Sequence, residues 1–173
     1  RLPYSFLPAV RQSLGFALQQ DRSYFAHFSD LRNHLEAAYW FQAVSLLTSE
    51  DELLLVSLVE QAQKKLEGTP IRIPHREHRQ LHLTIFGRLD NLFVKNLLEA
   101  YWEAYETAGL NVFADLEYLQ TVWEYHRVMV EAIRCKDYEA GYRALVEHRE
   151  LLYHRPEPGT VENGRQAPEM NGD

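Results

Sequence analysis

Residues 123–148 read WEYHRVMVEAIRCKDYEAGYRALVEH, and this stretch decides the fold. Two segments with helical spacing, over about 113–135 and 138–153, are separated here only by a tight turn. Asp137 directly follows Cys135-Lys136 and is suited to cap the N-terminus of the second helix. Links this short force consecutive helices to run antiparallel. The stretch therefore predicts an antiparallel helical pair.

The same helical spacing continues through the rest of the chain. Leu54, Leu58, Ala62 and Leu66, for example, repeat every four residues. No alternating strand with a hairpin turn occurs. The expected helices lie near residues 6–20, 28–48, 51–67, 75–88, 91–108, 113–135 and 138–153. The sequence thus predicts an all-α antiparallel bundle of six to seven helices.

The bundle is expected to form one domain over residues 1–154. Residues 155–173 carry almost no apolar side chains and are expected to form a disordered tail. Inside the domain, Ser49 is expected to cap the following helix in a capping box that Glu52 completes. Large aromatic side chains normally fill bundle interiors, so a core position is expected for Tyr39, Trp40, Trp102, Tyr105 and Trp123.

Composition narrows the class of protein. The 173 residues are 46% apolar and carry a net charge of −7, which fits a globular domain and disfavours unaided binding to nucleic-acid phosphates. No apolar run is long enough to span a bilayer, and no secretory signal is present, so a cytoplasmic location is expected. The single Cys135 excludes an internal disulfide and fits a reducing compartment. Because the sequence begins with Arg1 rather than Met, we expect a piece of a longer protein.

The histidines carry the functional signal. His75, His78 and His82 fall on one face of a predicted helix. His78 and His82 form an H-x-x-x-H pair, the spacing at which two imidazoles on one helix can reach the same cation. His126 and His148 each lie 11 residues from Asp137, so on antiparallel helices they reach the same height.

The same counting brings a third segment to that level. Equal numbers of residues are counted on each side of a turn, because antiparallel helices rise equally per residue. Counted across the turn near Asp90 and then across the turn near Gly109, position 82 reaches the height of about residues 122–124, within one turn of His126. Converging imidazoles suit zinc, nickel, iron or another divalent ion of similar softness. The competing interpretation is that these are ordinary surface or hydrogen-bonded core histidines. That second interpretation is adopted for His27, His34 and His154, which have no such partners.

Three segments resemble the C-terminal effector-binding domain, of FCD type, in the FadR branch of the GntR transcription regulators. They are DLRNHLEAAYWFQAVSLLTSEDELLLVSLVEQ, EHRQLHLTIFGRLDNLFVKNLLEAYWEAY and WEYHRVMVEAIRCKDYEAGYRALVEH, and the resemblance covers roughly residues 6–153. It implies a bundle of six or seven antiparallel helices. It also implies a divalent metal held by an aspartate and three histidines, with a small carboxylate effector on or near the ion.

The resemblance assigns the metal ligands residue by residue. The family's Asp-x-x-x-His helix falls on His78 and His82, its Glu-His pair on Tyr125-His126, and its last histidine on His148. His78 therefore stands where the family has aspartate. A neutral imidazole also coordinates divalent ions, so the resemblance implies a four-histidine site with one negative charge fewer. Zinc is the expected metal, with nickel, iron and manganese as alternatives.

Arg32 matches the family's early arginine and is a candidate effector ligand, because a guanidinium binds a carboxylate through two hydrogen bonds. The alternative is that Arg32 and Glu36 form an i,i+4 pair on a helix surface. The resemblance further implies a homodimer. Nothing in the chain resembles the family's N-terminal winged helix, so contact with DNA is expected only through that missing domain.

Two other functional classes remain open. A metalloenzyme in a helical bundle could use metal-bound water for hydrolysis. Against it, no histidine has a glutamate three residues before it, and no His-Glu-x-x-His motif occurs. A helical interaction module with incidental histidines is the third class. The expected function is that of a non-catalytic ligand-sensing domain of a bacterial transcription regulator.

Overall fold

The computed structural model describes residues 5–107 and 115–153. All regular secondary structure in these two ranges is helical, which confirms the all-α prediction. The helices are α1 (Leu7–Gln20), α2 (Tyr24–Ser45), α3 (Ser49–Glu67), α4 (His75–Phe86), α5 (Leu92–Thr107), α6 (Leu116–Arg134) and α7 (Tyr138–Tyr153). The tail predicted over residues 155–173 lies outside the described residues.

The start of α3 differs by one residue from the predicted boundary. Thr48, not Ser49, is the N-cap, and its partner in the capping box is Asp51 rather than Glu52. Both pairs have the spacing that a capping box requires, so local sequence alone does not separate them. Arg88 binds both Thr48 and Asp51 from the link between α4 and α5. This tertiary contact favours the observed pair.

The turn between α6 and α7 forms as predicted. Lys136 has a φ of 61°, which reverses the chain direction within three residues. The side chain of Asp137 accepts a hydrogen bond of 3.0 Å from the backbone N–H of Ala140, so Asp137 caps α7. The pairing of α6 with α7 follows from this turn, and it carries His126 and His148 onto facing helix surfaces.

Helix packing brings four elements around one point. α6 packs against α7 and α3, while α4 packs against α2, α3 and α5. α2 also packs along α7, where Trp40 is fully buried and donates from its Nε1 to the carbonyl of Tyr138 at 2.9 Å. A Cβ on Gly141 would lie 2.5 Å from Trp40 Cζ2, so only glycine permits this close approach. The result is a core in which α2, α4, α6 and α7 share a centre.

No helix among the described residues is both long enough and apolar enough to cross a bilayer.

Candidate metal centre

The four histidines named from the sequence meet at that centre. His78 and His82 come from α4, His126 from α6 and His148 from α7. One ligand atom of each lies within 4.8 Å of the others. His82, His126 and His148 are almost fully buried, whereas His78 keeps part of its surface open but buries its Nε2 atom.

Two of the rings meet through their Nε2 atoms. The Nε2 atoms of His82 and His126 are 3.0 Å apart. His126 Nδ1 lies 2.7 Å from the carbonyl oxygen of Val122, and His82 Nδ1 lies 3.0 Å from a carboxylate oxygen of Glu36. Both oxygens only accept hydrogen bonds, so each Nδ1 carries the proton. In the neutral rings two Nε2 lone pairs therefore face each other, an arrangement that a cation stabilises.

The donor set fits a divalent ion. His78 Nε2 and His148 Nδ1 are buried and have no hydrogen-bond partner. Ring nitrogens at about 2.0–2.1 Å from a tetrahedral zinc ion lie about 3.4 Å from one another. The Nε2 pair already has nearly this separation, and atoms within 4.8 Å reach it through small ring movements. The four histidines can thus hold a metal ion.

The electrostatic environment keeps these imidazoles neutral, as metal ligands must be. Burial, reinforced by the neighbouring imidazoles, holds the pKa values of His78, His126 and His148 well below the ordinary histidine value. Burial also lowers the pKa of His82, although Glu36 opposes that change. Neutral rings offer a lone pair without first losing a proton to solvent.

A buried ion pair from α2 adjoins the cluster. Arg32 Nε lies 3.2 Å from Glu36 Oε1, and both side chains are at most 3% exposed. Burial alone would raise the pKa of Glu36, but Arg32 and His82 outweigh burial and leave that pKa below its ordinary value. The expected i,i+4 pair therefore exists, but it lies in the interior and not on a helix surface.

Arg32 is held by several groups at once. Its NH1 atom donates to Asn33 Oδ1 at 2.8 Å, and its guanidinium carbon lies 4.7 Å from the Tyr101 ring centroid and 5.3 Å from that of Trp102. Its Nε–H has no hydrogen-bond partner, because the N–H is not directed at the nearby Glu36 oxygen. Arg32 thus brings a fixed positive charge with a spare donor to the edge of the site.

Aromatic side chains enclose the histidines. Trp102 packs edge-to-face against His78 with 4.7 Å between ring centroids, and Trp123 packs at a tilt against His126 at 4.9 Å. Both tryptophans are buried, as expected, but they serve as walls of the site as well as core. Trp40 is a core residue away from these rings.

The remaining histidines do not join the cluster. His75 is on α4 but exposed. His27 and His34 are exposed on α2, as predicted, and His34 lies 3.5 Å from Asp30. His154 lies outside the described residues.

The contacts of Glu36 and of the Val122 carbonyl with the histidines were not predicted from the sequence. Trp40 follows Glu36 by four residues and Ala43 follows it by seven, which places a carboxylate on a helix stripe that is otherwise apolar and buried. A buried charged residue needs a partner, so a glutamate on this stripe could have been predicted to bind another polar group in the interior. The carbonyl of Val122 has no equivalent sequence signal.

Together, the helical fold and the buried histidine cluster define an all-α domain with a site that can hold a metal ion. The sequence profile of the FCD domain matches residues 27–151, and the chain belongs to that family. This agrees with the resemblance to the C-terminal domain of GntR-family regulators, in which the FCD domain is a regulatory, effector-binding unit. Comparison with curated proteins and with solved structures gives no match.

Proposed function

We propose that this domain is the sensory part of a GntR-type transcription regulator, in which His78, His82, His126 and His148 bind one divalent ion. The convergence of these four imidazoles, with ring nitrogens that lack protein partners other than one another, carries the proposal. Membership of the FCD family supports the regulatory role.

Zinc is the first choice of metal. Four neutral nitrogen donors suit zinc and also nickel or iron(II), whereas manganese prefers sites richer in oxygen. A bound ion would supply a Lewis acid, and an effector oxygen would join the four nitrogens as a fifth ligand. The chain's own contribution is to present the ring nitrogens and to exclude water with Trp102 and Trp123.

The charge of the site favours an organic anion as the effector. The imidazoles are neutral, and the charges of Arg32 and Glu36 offset each other. The charge of a divalent ion would therefore remain without compensation in a buried place. A small carboxylate supplies the missing negative charge and an oxygen ligand.

Arg32 is the proposed second contact for this anion. Its unpartnered Nε–H and its buried charge favour a carboxylate oxygen nearby. Unpartnered donors are also found on its neighbours in this region, Asn33 Nδ2 and Trp102 Nε1. These three unpartnered donors outnumber the one unpartnered carboxylate oxygen beside them, Glu36 Oε2, and this excess of donors suits a ligand rich in oxygen.

The proposed output is a change in helix packing. An effector that contacts α2 and the histidines of α4, α6 and α7 would stabilise one arrangement of these helices over another. We further propose that the full protein is a homodimer and that DNA is bound only by a winged-helix domain outside this chain. The domain itself is proposed to cover residues 1–154.

The metal proposal is tested with His82→Ala. Elemental analysis of the purified protein should find about one divalent ion per chain, and His82→Ala should lose most of it with little change in the far-UV CD spectrum. His75→Ala is the matched control, because His75 lies on the same helix but is exposed. Metal content that His82→Ala leaves unchanged would contradict the proposal.

The effector proposal is tested by thermal shift. Mono-, di- and tricarboxylates are added to metal-loaded and chelator-treated protein, and a ligand at 100 times its Kd should stabilise the loaded form by about 2.7 kcal/mol. Stabilisation that persists without metal would contradict a metal-centred site. An Arg32→Ala variant that is stabilised as much as the wild type would contradict the proposed contact of Arg32 with the effector, but not effector binding at the metal. A parallel screen for turnover of simple esters and phosphates distinguishes sensing from hydrolysis.

A further inference from the structure

We infer that Glu36 is a positioning residue of the proposed metal site. By accepting a hydrogen bond from Nδ1 of His82, Glu36 fixes this ring in the tautomer whose Nε2 lone pair faces the other histidines. The inference depends on the proposed metal site for its consequence, but its structural part concerns the metal-free protein.

The contact is direct and fully enclosed. Glu36 Oε1 lies 3.0 Å from His82 Nδ1, and both side chains are 1% exposed. A neutral imidazole carries one proton, and a carboxylate can only accept it as a hydrogen bond. Nδ1 of His82 is therefore the protonated atom. Nε2 is unprotonated, and its lone pair, which can bind a metal ion, points towards His126.

His126 is also fixed by a hydrogen bond from its Nδ1, but to a different kind of acceptor. Its Nδ1 is fixed by the Val122 carbonyl, one turn earlier on its own helix. His82 has an acceptor from another helix, because Glu36 belongs to α2 and is 46 positions away. A histidine ligand held by a carboxylate is more basic and is restrained in ring orientation.

Glu36 is itself held in place. Arg32 is 3.2 Å from the same oxygen, Oε1, and the guanidinium is fixed by Asn33 and by the Tyr101 ring. Glu36 is therefore the second link in a chain of contacts that runs from Arg32 through Glu36 to His82. This chain connects the proposed effector contact with a proposed metal ligand.

Glu77 provides a matched control. It is also a buried glutamate in an ion pair, with both oxygens 2.7–2.8 Å from Lys65 Nζ. Its partner comes from α3, and its carboxylate is engaged there rather than with an imidazole. Glu77→Gln thus perturbs a buried carboxylate of the same helix that carries His82 without changing the acceptor at His82.

The experiment compares Glu36→Met, Glu36→Gln and Glu77→Gln. Long-range ¹H–¹⁵N NMR of the metal-free protein reports the His82 tautomer, and competition with a chromophoric chelator gives the zinc affinity. In the wild type, Glu36→Gln and Glu77→Gln, His82 should be protonated at Nδ1, since the amide oxygen of glutamine still accepts. In Glu36→Met the Nε2-protonated form should appear, and zinc affinity should fall about 10- to 100-fold.

Two results would overturn the inference. One is an unchanged His82 tautomer in folded Glu36→Met. If Glu36→Met does not fold, the other is a metal-free wild type or Glu36→Gln variant in which His82 is protonated at Nε2, because both proteins keep an oxygen that accepts from Nδ1. A wild type that binds no zinc would refute the proposed function, whereas the tautomer in the metal-free protein would still decide the structural role of Glu36.

Discussion

Acidification of the metal-free domain should destabilise it at pH values well above those at which its carboxylates are protonated. Burial holds the pKa values of His78, His126 and His148 well below the ordinary histidine value. In the unfolded chain these rings regain a pKa of about 6.5 and bind protons that the folded state rejects. Because the unfolded state binds more protons, stability is complete above about pH 6.5 and decreases as the pH falls below that value.

The size of this effect follows from the number of buried rings. Each ring that stays neutral in the folded state costs about 1.3 kcal/mol between pH 7 and pH 5.5, so three cost about 4 kcal/mol. Domains of this size are stable by about 5–15 kcal/mol, so this loss is a large part of the total. Carboxylates with lowered pKa, such as Asp51 with a pKa of about 2, lose their contribution only at lower pH.

Urea unfolding of chelator-treated protein, followed by far-UV CD at the two pH values, measures this loss. His148→Asn should reduce the pH-dependent loss by about 1.3 kcal/mol, since one buried ring fewer takes up a proton on unfolding. The exposed His34→Asn variant controls for removal of a histidine as such. A free energy of unfolding that is the same at both pH values would refute the reasoning, because it would mean that the folded state binds these protons as readily as the unfolded chain.

Three further variants test other parts of the structure. His78→Asp should shift metal preference towards manganese in competition measurements, because a carboxylate adds charge and a hard oxygen ligand; an unchanged preference would show that His78 is not a ligand. Gly141→Ala should destabilise the domain by about 1–3 kcal/mol in thermal melts, since its Cβ would lie 2.5 Å from Trp40, and a melting point equal to the wild type would contradict the close contact. Asp51→Ala should lower the free energy of unfolding in urea by about 1–2 kcal/mol, because the capping box and the contact between Asp51 and Arg88 are lost. A decrease below about 0.5 kcal/mol would contradict a stabilising role of these contacts.

The proximity of the histidines could be predicted from the sequence, because the height of a residue in the bundle depends only on the helix rise and on the positions of the turns. The turn at Asp137 is fixed by local chemistry, so His126 and His148 are brought to the same height on neighbouring helices. The first residue of α3 could not be predicted in the same way. Thr48 and Ser49 are equivalent as local caps, and the choice depends on Arg88, which is distant in sequence.

The surroundings of the histidines were less accessible from sequence. The spacing of Arg32 and Glu36 is equally compatible with an exposed pair and with a buried one. Only the packing of α2 against α4 and α5 shows that the pair is interior and that Glu36 meets His82. Likewise, nothing in a tryptophan's position along a helix tells whether it joins the general hydrophobic core, as Trp40 does, or packs against imidazoles, as Trp102 does.

The tight turn between α6 and α7 also has a consequence for the order of folding. It makes the contacts of these two helices local in sequence, and local contacts close at little entropic cost and form quickly. A chain in which only this hairpin has formed already holds His126 and His148 side by side. His82 lies 44 positions before His126, and it joins them only when α4 docks. Time-resolved metal binding during refolding would therefore report the docking of α4 and not the formation of helices.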